Sequence, residues 1–371
     1  MKRLNNNLYQ MDIEKLAEEE QLREKLHKKS ILITGATGMI GTALIDFLMH
    51  LNKAASAEIH ILAMGRSTTK TKERLGEYWG NPHFTFVEHD INRPIQSQTL
   101  NEYFPMNINY IIHAASTTHP RAYATEPIST ITTNIIGLHN LMKYAKMTKP
   151  DRVVFLSSVE IYGENRGDVD KFDEAYNGYI DCNTTRAGYP ESKRVSEALC
   201  QAYASQEGID VVIPRLSRVY GPTMLESDSK AIAQFIKKAV SDQDIVLKSD
   251  GSQLYSYCYV MDAVSGILAV MLNGESGQAY NVSDSGSEVT LKELANMLAE
   301  AAGTSVLFEI PDTVESAGYS KATKAVLDAG KLEKLGWKPQ THIREGLDKT
   351  VTILKNLAKM TLSTESFPQK Q

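Results

Sequence analysis

Short apolar runs alternate with stretches of helical spacing over most of the first 220 residues. The strand-like runs read ILIT, EIHILAM, FTFVEHD, NYIIHAA, RVVFLSS and DVVIPRL, and helical segments separate most of them. Apolar strands that alternate with helices are typical of a parallel sheet covered by helices on both faces. We therefore predict an α/β protein whose main domain, over residues 30–220, is a doubly wound parallel sheet.

The pattern changes after about Tyr220. A helical stretch DSKAIAQFIKKAV is followed by shorter strands near IVLKSD and QAYNVSD and by a further helix in TLKELANMLAEAAG. This mixture predicts a smaller α/β lobe over residues 221–358, and we expect the apolar stretch LYSYCYVMDAVSGILAVML to return and pack on the main domain. Residues 359–371 are predicted to be a frayed tail.

The first 29 residues precede the first apolar strand and are expected to form a helical extension packed on the main domain. Over residues 11–28, Ile13, Leu16, Leu22 and Leu26 are spaced for one face of an amphipathic helix, with acidic residues outside that face.

Composition narrows the possible partners. The 371 residues are 42% hydrophobic and 23% charged with a net charge of -5, and lysines and arginines are scattered, so we expect no nucleic-acid partner. The cysteines, Cys182, Cys200 and Cys258, are odd in number and far apart, which favours a reducing compartment and no metal site. No apolar run is long enough to cross a bilayer and the N-terminus lacks the apolar region of a signal peptide, so we predict a cytoplasmic protein without a membrane partner.

A glycine-rich turn follows the first strand. Gly35, Gly38 and Gly41 lie between the strand ILIT and the helix TALIDFLMHL, in the spacing G-x-x-G-x-x-G. Such a turn lets the backbone approach a pyrophosphate and receive it at a helix N-terminus, so the sequence predicts a dinucleotide site. The alternative is a tight turn without a ligand.

Residues after later strands extend this predicted site. Gly65 and Arg66 stand where an NAD-binding fold usually offers an acid to the ribose; an arginine there can accept a 2′-phosphate, so NADP is possible, and the alternative is a solvated loop charge. Asp90 can hydrogen bond an adenine ring, whereas His113 is expected to be a packed strand residue. The predicted cofactor-binding residues are Gly35, Thr37, Gly38, Met39, Ile40, Gly41, Arg66, Asp90, Ile91, Ala114, Ala115, Ser116, Asn134, Tyr189 and Lys193.

Tyr189 and Lys193 lie four residues apart, and Pro190 follows the tyrosine. Proline is favoured in the first turn of a helix, so a helix is predicted to begin here and to place both side chains on one face. An ammonium near a phenol lowers its pKa from about 10, which would make Tyr189 a usable base. Alone, the pair is more typical of a solvated helix face.

Several motifs together resemble a known family. GATGMIG, IIHAAS, TTNIIGLHNLM, FLSSVEIYG, the Tyr189 and Lys193 pair, PRLSRVYGP and KLEKLGWKP occur in the order found in extended short-chain dehydrogenases/reductases, and most resemble the NAD-dependent epimerases/dehydratases of nucleotide sugars. The resemblance covers about residues 30–345. It implies a Rossmann-type domain that binds NAD and a C-terminal lobe that closes over a nucleoside-diphosphate sugar.

The resemblance implies roles for the catalytic candidates. Tyr189 would accept the proton of the sugar 4-hydroxyl while hydride leaves C4, and Lys193 would lower the pKa of Tyr189 and hold the nicotinamide ribose. Ser158 would hydrogen bond the reacting oxygen, and Ser157 would serve strand packing or replace it.

The step after oxidation stays open between epimerisation, dehydration and decarboxylation. Glu160 occupies a position where dehydratases and UDP-glucuronate decarboxylases carry a glutamate, and it would serve as a base at C5 or as a salt-bridged rim residue. Val159 stands where sugar 4,6-dehydratases carry an aspartate that protonates the leaving hydroxyl, and valine has no proton to donate.

Four further residues are candidates for contact with the substrate. Arg218 replaces an asparagine common in relatives and Tyr255 replaces an arginine, so the diphosphate charge would still be met by one guanidinium. Arg186 and Arg121 would face a negatively charged sugar or be structural. By analogy we expect a homodimer formed through the helices TNIIGLHNLMKYAK and YPESKRVSEALCQAYA. An NADP-dependent reductase and a non-catalytic dinucleotide-binding protein remain alternatives.

Overall fold

The computed structural model describes residues 2–96, 100, 106–118, 120–309 and 322–365. Its last helix ends at Glu365, so residues 359–365, predicted as tail, continue that helix, while 366–371 lie outside the described residues. The strands are β1 (Ser30–Thr34), β2 (His60–Gly65), β3 (Phe84–Glu88), β4 (Tyr110–His113), β5 (Arg152–Phe155), β6 (Ser157–Ser158), β7 (Val211–Leu216), β8 (Arg218–Tyr220), β9 (Ile245–Leu247), β10 (Leu254–Tyr259), β11 (Ala279–Val282), β12 (Glu288–Thr290), β13 (Val306–Phe308) and β14 (Lys324–Ala325).

Helices connect most of these strands. They are α1 (Asn7–Ala17), α2 (Glu20–Leu26), α3 (Met39–Ala55), α4 (Thr68–Leu75), α5 (Pro120–Thr125), α6 (Pro127–Thr148), α7 (Gly188–Glu207), α8 (Ala231–Val240), α9 (Val260–Asn273), α10 (Leu291–Ala302), α11 (Gly330–Glu333) and α12 (Ile343–Glu365), with short 3-10 helices at Lys2–Asn5, Gly76–Tyr78, Val159–Tyr162 and Thr185–Ala187. Within the described residues, no helix has the length and apolar character needed to cross a membrane.

The main sheet is parallel, with strand order β11-β7-β5-β4-β1-β2-β3 and with β6 beside β7. Both faces are covered: Ile31 and Ile33 of β1 belong to one apolar core, and Leu32 between them belongs to the other. A strand buried on both faces must be apolar at every position, which is why β1 reads as a continuous apolar run. The predicted doubly wound arrangement is therefore confirmed.

One strand from the second-lobe region belongs to the main sheet. QAYNVSD was expected in the second lobe, but β11 pairs in parallel with β7 of the main sheet, where Tyr280 and Val282 are buried. The preceding helix α9 packs on α3 and on the sheet strands β5, β7 and β11. A short strand gains more buried apolar area beside the large sheet than in a small one.

The second lobe consists of small sheets and helices. Strand β10 lies between β12 and β14 and also pairs with β8, while β13 pairs with β9. Helix α10 packs on α8, and α12 packs on both. Because β8 continues directly from β7 of the main sheet, the side chains of β8 reach the boundary between the two lobes.

The N-terminal extension forms two helices where one was predicted. α1 ends at Ala17 and α2 begins at Glu20, and Glu19 between them is extended. From Leu16 to Leu22 a continuous helix would turn by about one and two-thirds turns, which would carry Leu22 off the face of Leu16. The break returns Leu22 to the core.

Buried polar contacts hold this extension on the main domain. The guanidinium of Arg3 donates to both carboxylate oxygens of Asp46 on α3, each at 2.7 Å. The hydroxyls of Tyr9 and Tyr78 donate to the same carboxylate at 2.7 and 2.9 Å. A buried charge is stable only when it is paired and hydrogen bonded, and Asp46 meets both conditions.

Candidate active site

The glycine-rich turn forms the start of the site, at the carboxyl end of β1. Gly35 has φ +68°, and a Cβ there would lie 2.6 Å from the Ala114 carbonyl oxygen. A Cβ at Gly41 would lie 2.5 Å from the Gly35 oxygen. Gly38 is the N-cap residue of α3. Because glycine has no side chain, the N-terminus of the helix is left uncovered at this residue.

A cleft of about 650 Å³ opens from this turn toward the second lobe. Most of the predicted site residues line it: Gly35, Gly38, Met39, Ile40, Gly41, Ala114, Ser116, Ser158, Glu160, Arg186, Tyr189, Lys193, Arg218 and Tyr255. They come from the carboxyl ends of β1, β4 and β6, from the start of α7 and from the second lobe. This is the edge at which open parallel sheets bind ligands.

Helix α7 begins at Gly188 and presents Tyr189 and Lys193 to the cleft, one turn apart. Both side chains are buried, with 4% of each residue exposed. Ser158 ends β6, and its Oγ accepts the Glu160 backbone N–H at 3.3 Å, which caps the 3-10 helix Val159–Tyr162. The neighbouring Ser157 instead donates to Glu197 of α7 at 2.5 Å, in agreement with strand packing.

The phenol of Tyr189 is strongly influenced by its surroundings. Burial raises the pKa of Tyr189 to about 12, and the negative charge of Glu160 acts in the same direction. Hydrogen bonding with Ser158 and with Tyr123, together with the positive charge of Arg186, opposes this rise in the pKa. The Tyr189 phenol is therefore protonated at neutral pH.

The Lys193 side chain contacts residues at the end of β5. Its Nζ donates to the Leu156 carbonyl oxygen at 2.7 Å and lies 4.6 Å from the centre of the Phe155 ring. Burial lowers the pKa of Lys193 to about 8, and Glu197 opposes that change. The effect of Lys193 on the pKa of Tyr189 stays a prediction.

Glu160 is held between two arginines. Its carboxylate lies 2.6 Å from Arg186 Nη2 and 3.9 Å from Arg218 Nη2. Burial acts to raise the pKa of Glu160, but the two guanidinium groups outweigh it and the pKa is lowered. Val159, beside it, is an apolar wall residue with 5% of its surface exposed.

Arg218 lies flat on Tyr255, with its guanidinium carbon 3.4 Å from the ring centre. Strand pairing sets this contact, because Arg218 pairs with Tyr257 in neighbouring β8 and β10. The Tyr255 hydroxyl donates to the Ala322 carbonyl at 2.8 Å. Among the described residues, Arg218 Nη1 and Arg186 Nε are buried and have no hydrogen-bond partner.

Comparison with known protein families shows which family the chain belongs to. The model of the NAD dependent epimerase/dehydratase family matches residues 31–283, more than half of the chain. The chain belongs to this family. The resemblance read from the motifs is confirmed.

Individual relatives agree with the family assignment. UDP-glucuronic acid decarboxylase 3 of Arabidopsis thaliana is 32% identical over 317 residues, which cover 85% of this chain and 86% of that protein. A dTDP-glucose 4,6-dehydratase of Streptomyces venezuelae, solved with NAD bound, is 25% identical with a TM-score of 0.75, and the match covers 88% of this chain and 97% of that one. A UDP-glucose 4-epimerase of Thermotoga maritima shares the fold, with a TM-score of 0.74 at 24% identity over 90% of this chain and 99% of that one. The predictions of NAD as cofactor and of a nucleotide-sugar enzyme of the epimerase/dehydratase family are confirmed.

The residues of this family member fit NAD. The glycine turn leaves backbone atoms exposed to the cleft at Gly35 and Gly38, and the N-terminus of α3 opens toward the same space. Backbone N–H groups at a helix N-terminus bind phosphate well. Thr37 lies in this turn, and Lys193 stands across the cleft, where the nicotinamide ribose is expected.

Asn134 links elements of the site. Its side-chain oxygen accepts the Ser116 hydroxyl at 2.7 Å, and its amide donates to Ser192 in α7 at 2.8 Å. With 1% of its surface exposed, Asn134 joins the end of β4 to the helix that carries Tyr189. The structure thus gives it a positioning role, and direct contact with a cofactor remains a prediction.

The predicted adenosine end of the site is less enclosed. Arg66 is exposed directly after β2, and the Asp90 carboxylate accepts the Asn92 N–H at 3.0 Å. Ile91 is buried and packs against Gly137 of α6. Ala115 follows β4, and its N–H donates to Thr34 Oγ1 at 3.3 Å. Their contacts with a cofactor remain predictions.

Sequence reasoning missed Tyr123 and the lysines of the second lobe. Tyr123 of α5 lines the cleft and stacks on Tyr189, while Lys230, Lys238 and Lys248 line the opposite wall. A lysine in a helix, at a helix cap or in a loop carries no sign of which cleft it borders, so no sequence signal was available. Arg121 of α5 is exposed, and its backbone N–H donates to the Ser229 hydroxyl oxygen.

His113 is a packed residue, as predicted. Its Nδ1 lies 2.8 Å from Thr34 Oγ1, and its ring stacks on Phe155 with centroids 6.0 Å apart. Burial lowers the pKa of His113 to about 3, and Lys193 contributes to the same change. The imidazole is therefore neutral at physiological pH.

Proposed function

We propose that this enzyme is a nucleotide-sugar decarboxylase that oxidises a nucleoside-diphosphate hexuronate at C4 and releases its C5 carboxylate as carbon dioxide. One observation carries the choice of decarboxylation over dehydration: the carboxylate of Glu160, the candidate base, is ion-paired with Arg186 and Arg218. The similarity to UDP-glucuronic acid decarboxylases over 85% of the chain supports the same reading.

Dehydration and decarboxylation need different groups from the protein. Dehydration needs a base that removes the C5 proton and an acid that protonates the leaving C6 hydroxyl. Glu160 has a lowered pKa and is a weak base, and Val159 supplies no acid. Decarboxylation needs neither: the bond from C5 to the carboxylate breaks, its electron pair moves toward the C4 carbonyl oxygen, and carbon dioxide leaves. C5 takes up a proton afterwards.

The charge of the cleft supports an acidic sugar. Arg186 Nε and Arg218 Nη1 are buried donors without a partner among the residues that the structure describes. The side chains of Arg186, Arg218 and Glu160 together carry one net positive charge in this wall of the cleft. Guanidinium groups bind carboxylate and phosphate oxygens through paired hydrogen bonds, so a sugar carboxylate or a diphosphate would satisfy these donors.

Tyr189 carries out the proton transfer at the sugar 4-hydroxyl, and Ser158 lies beside the Tyr189 phenol. NAD, when bound, accepts the hydride from C4 and returns it. Tyr189 takes the hydroxyl proton as the carbonyl forms, and Ser158 hydrogen bonds the same sugar oxygen. Both residues are buried or half-buried, so little water competes for that proton.

A matched pair of substrates tests the proposal. Purified protein with NAD is incubated with UDP-glucuronate and with UDP-glucose, which differ only at C6, and then with hexuronates of other nucleotides. Mass spectrometry should show loss of carbon dioxide from a hexuronate and no loss of water from UDP-glucose. Loss of water, an unchanged mass with new proton couplings, or net consumption of NADPH would instead identify a dehydratase, an epimerase or a reductase.

We also propose that the enzyme is a homodimer through α6 and α7. These helices pack together, and on their outer side Ile136 and Val195 leave 44% and 47% of their surfaces exposed. Apolar side chains in that position are stabilised by burial against a second copy. Sedimentation should give a dimer for the protein and a monomer for Ile136→Glu with Val195→Glu.

A cytoplasmic location is the remaining proposal. Cys182, Cys200 and Cys258 are all free thiols. Unpaired cysteines, one of them exposed, are typical of reducing compartments.

A further inference from the structure

One buried ion pair contacts every segment that carries a catalytic candidate. Three segments supply these candidates, which are Ser158 of β6, Glu160 of the 3-10 helix after it, and Tyr189 and Lys193 of α7. The ion pair joins Glu197 of α7 to Arg215 of β7, and 12% of each side chain is exposed. Neither partner lines the cleft in the described part of the chain, so the chemistry above gives the pair no role.

The Glu197 carboxylate ties α7 to β6. Ser157, directly before Ser158, donates to Glu197 Oε1 at 2.5 Å. Arg215 donates to both carboxylate oxygens, at 3.1 Å from Nε to Oε1 and at 2.7 Å from Nη2 to Oε2. Arg215 is also the strand partner of Ser157 in the neighbouring β7 and β6. Paired hydrogen bonds between a guanidinium and a carboxylate fix position and orientation together, so they set the place of Ser158 relative to α7.

The same guanidinium reaches the segment of Glu160. Arg215 Nη1 donates to the Tyr162 hydroxyl at 3.0 Å and to the Glu174 carbonyl oxygen at 2.8 Å. Tyr162 ends the 3-10 helix that carries Glu160, and its own hydroxyl donates to the Asn281 side-chain oxygen at 2.6 Å. A buried polar network whose members are hydrogen bonded to one another makes the elements that it joins rigid.

We propose that Glu197 and Arg215 are positioning residues for the oxidation at C4, which align Ser158 with Tyr189 and Lys193 and place a negative charge one helical turn from the Lys193 ammonium. The inference rests on the proposed function, because it takes these three residues as the groups that act on the sugar and on NAD. It goes beyond that function in assigning their alignment to a pair outside the cleft wall.

Glu197 also supplies a charge that favours the ammonium form of Lys193. Burial lowers the pKa of Lys193 to about 8, and Glu197 opposes that change. The Tyr189 phenol one turn earlier on α7, the Cys200 thiol on the same helix and the His113 imidazole on β4 are uncharged at neutral pH, because burial raises the pKa of the first two and lowers that of the third. Removal of the Glu197 charge should therefore lower the Lys193 pKa further.

Glu197→Gln tests the pair, because it keeps the shape of the side chain and removes its charge. With the NAD-loaded enzyme and its substrate, kcat should fall roughly tenfold with KM little changed, and the alkaline limb of the kcat profile should move down by about one pH unit. Glu197→Asp keeps the charge and should return the alkaline limb to its original pH.

Asp210→Asn is the matched control. The Asp210 carboxylate accepts two hydrogen bonds from the guanidinium of Arg152, each at 2.9 Å, so it belongs to a second arginine–carboxylate pair of the same sheet. Arg152 begins β5 and Asp210 directly precedes β7, so this pair lies at the amino end of the strands, away from the candidate active site. The control should lower the melting temperature but leave kcat and its pH profile unchanged.

A second readout needs no turnover. In NAD-loaded protein labelled with carbon-13 at the lysine Cε atoms, the Lys193 signal is assigned from Lys193→Met, and its titration midpoint should be lower in Glu197→Gln than in the parent enzyme and in Asp210→Asn. If Glu197→Gln does not fold, Tyr162→Phe, which removes only the hydroxyl between Arg215 and the segment of Glu160, should still lower kcat at unchanged KM.

The outcomes separate this inference from the proposed function. An unchanged kcat, an unmoved alkaline limb or an unchanged Lys193 midpoint in Glu197→Gln would overturn the positioning role, as would an unchanged kcat in Tyr162→Phe where that variant is needed. If Tyr189→Phe keeps full activity, the proposed function fails instead, whereas the Lys193 titration still decides whether Glu197 acts on the ammonium.

Discussion

The guanidinium of Arg218 rests on the ring of Tyr255, 3.4 Å from its centre, so two sequence positions share one place in the cleft wall. The resemblance to the family implied an asparagine at the first position and an arginine at the second. Because β8 and β10 are neighbours, an arginine on either strand reaches the same space. The structure therefore allows an arginine on either β8 or β10 to supply a guanidinium to this wall.

This relationship predicts that the exchange can be reversed. Arg218→Asn should raise the KM for the nucleotide sugar roughly 10- to 100-fold, because losing a hydrogen bond to a charged group costs about 1.5–3 kcal/mol. Adding Tyr255→Arg should restore most of the affinity, because it returns a guanidinium to the same wall. Steady-state kinetics of the single and double variants measure both effects. A double variant as weak as Arg218→Asn would show that Arg218 does not contact the diphosphate.

Tyr189→Phe should lower kcat by about 10²- to 10⁴-fold, because it removes the group that transfers the 4-hydroxyl proton. Substrate and NAD affinity should stay close to those of the parent enzyme, since the ring and its stacking on Tyr123 remain. Calorimetric titration with NAD and with the substrate gives the affinities, and product analysis gives kcat. Retention of more than a tenth of the activity would rule out the phenol as the proton acceptor.

The sequence was sufficient for the fold because the main sheet is buried on both faces, which gives its strands an unmistakable apolar pattern. The glycine turn and the start of α7 at Tyr189 were also predictable, since each depends on residues close together in the chain. Pro190 and the spacing to Lys193 are local signals of that kind.

Contacts between distant segments were not predictable in the same way. The spacing of Tyr189 and Lys193 shows that they share a helix face, but it does not show that the ammonium meets the Leu156 carbonyl. Tyr123 lies on the six-residue helix α5, too short for a periodic pattern, and only the fold brings it to Tyr189. Buried area likewise decides which sheet β11 joins. The seven residues QAYNVSD contain no local signal of that choice.

Glu160→Gln should slow carbon dioxide release more than the oxidation at C4. The substitution removes the charge that holds Arg186 at 2.6 Å and Arg218 at 3.9 Å, so both arginines lose their orientation toward the sugar. A loss of about 1.5–3 kcal/mol corresponds to roughly a 10- to 100-fold slower release, and NADH should accumulate on the enzyme.

The charge-conserving variant Glu160→Asp serves as the control and should recover part of the rate. Rapid-mixing absorbance follows NADH, and labelled carbon dioxide follows the second step. Normal turnover of Glu160→Gln would make Glu160 a rim residue without influence on the reaction.

Stability should depend on pH through His342 and Asp284. The His342 Nδ1 atom lies 2.9 Å from the buried Asp284 carboxylate, and that hydrogen bond, with the charge of Asp284, raises the pKa of His342. A histidine whose pKa is higher in the folded than in the unfolded state contributes fully below the unfolded value of about 6.5, and this contribution is lost as the pH rises through the folded value. The difference in unfolding free energy between the protein and His342→Gln should therefore be largest below about pH 6.5 and shrink as the pH rises through the folded pKa, which lies above that value.

Denaturant titrations of both proteins at several pH values measure this difference. Taking the difference removes the contribution of groups that do not interact with His342, whereas the charges of Asp262 and Glu345 also raise the His342 pKa and belong to the measured effect. A difference that stays constant over this range would show that the pair carries no charge interaction of consequence.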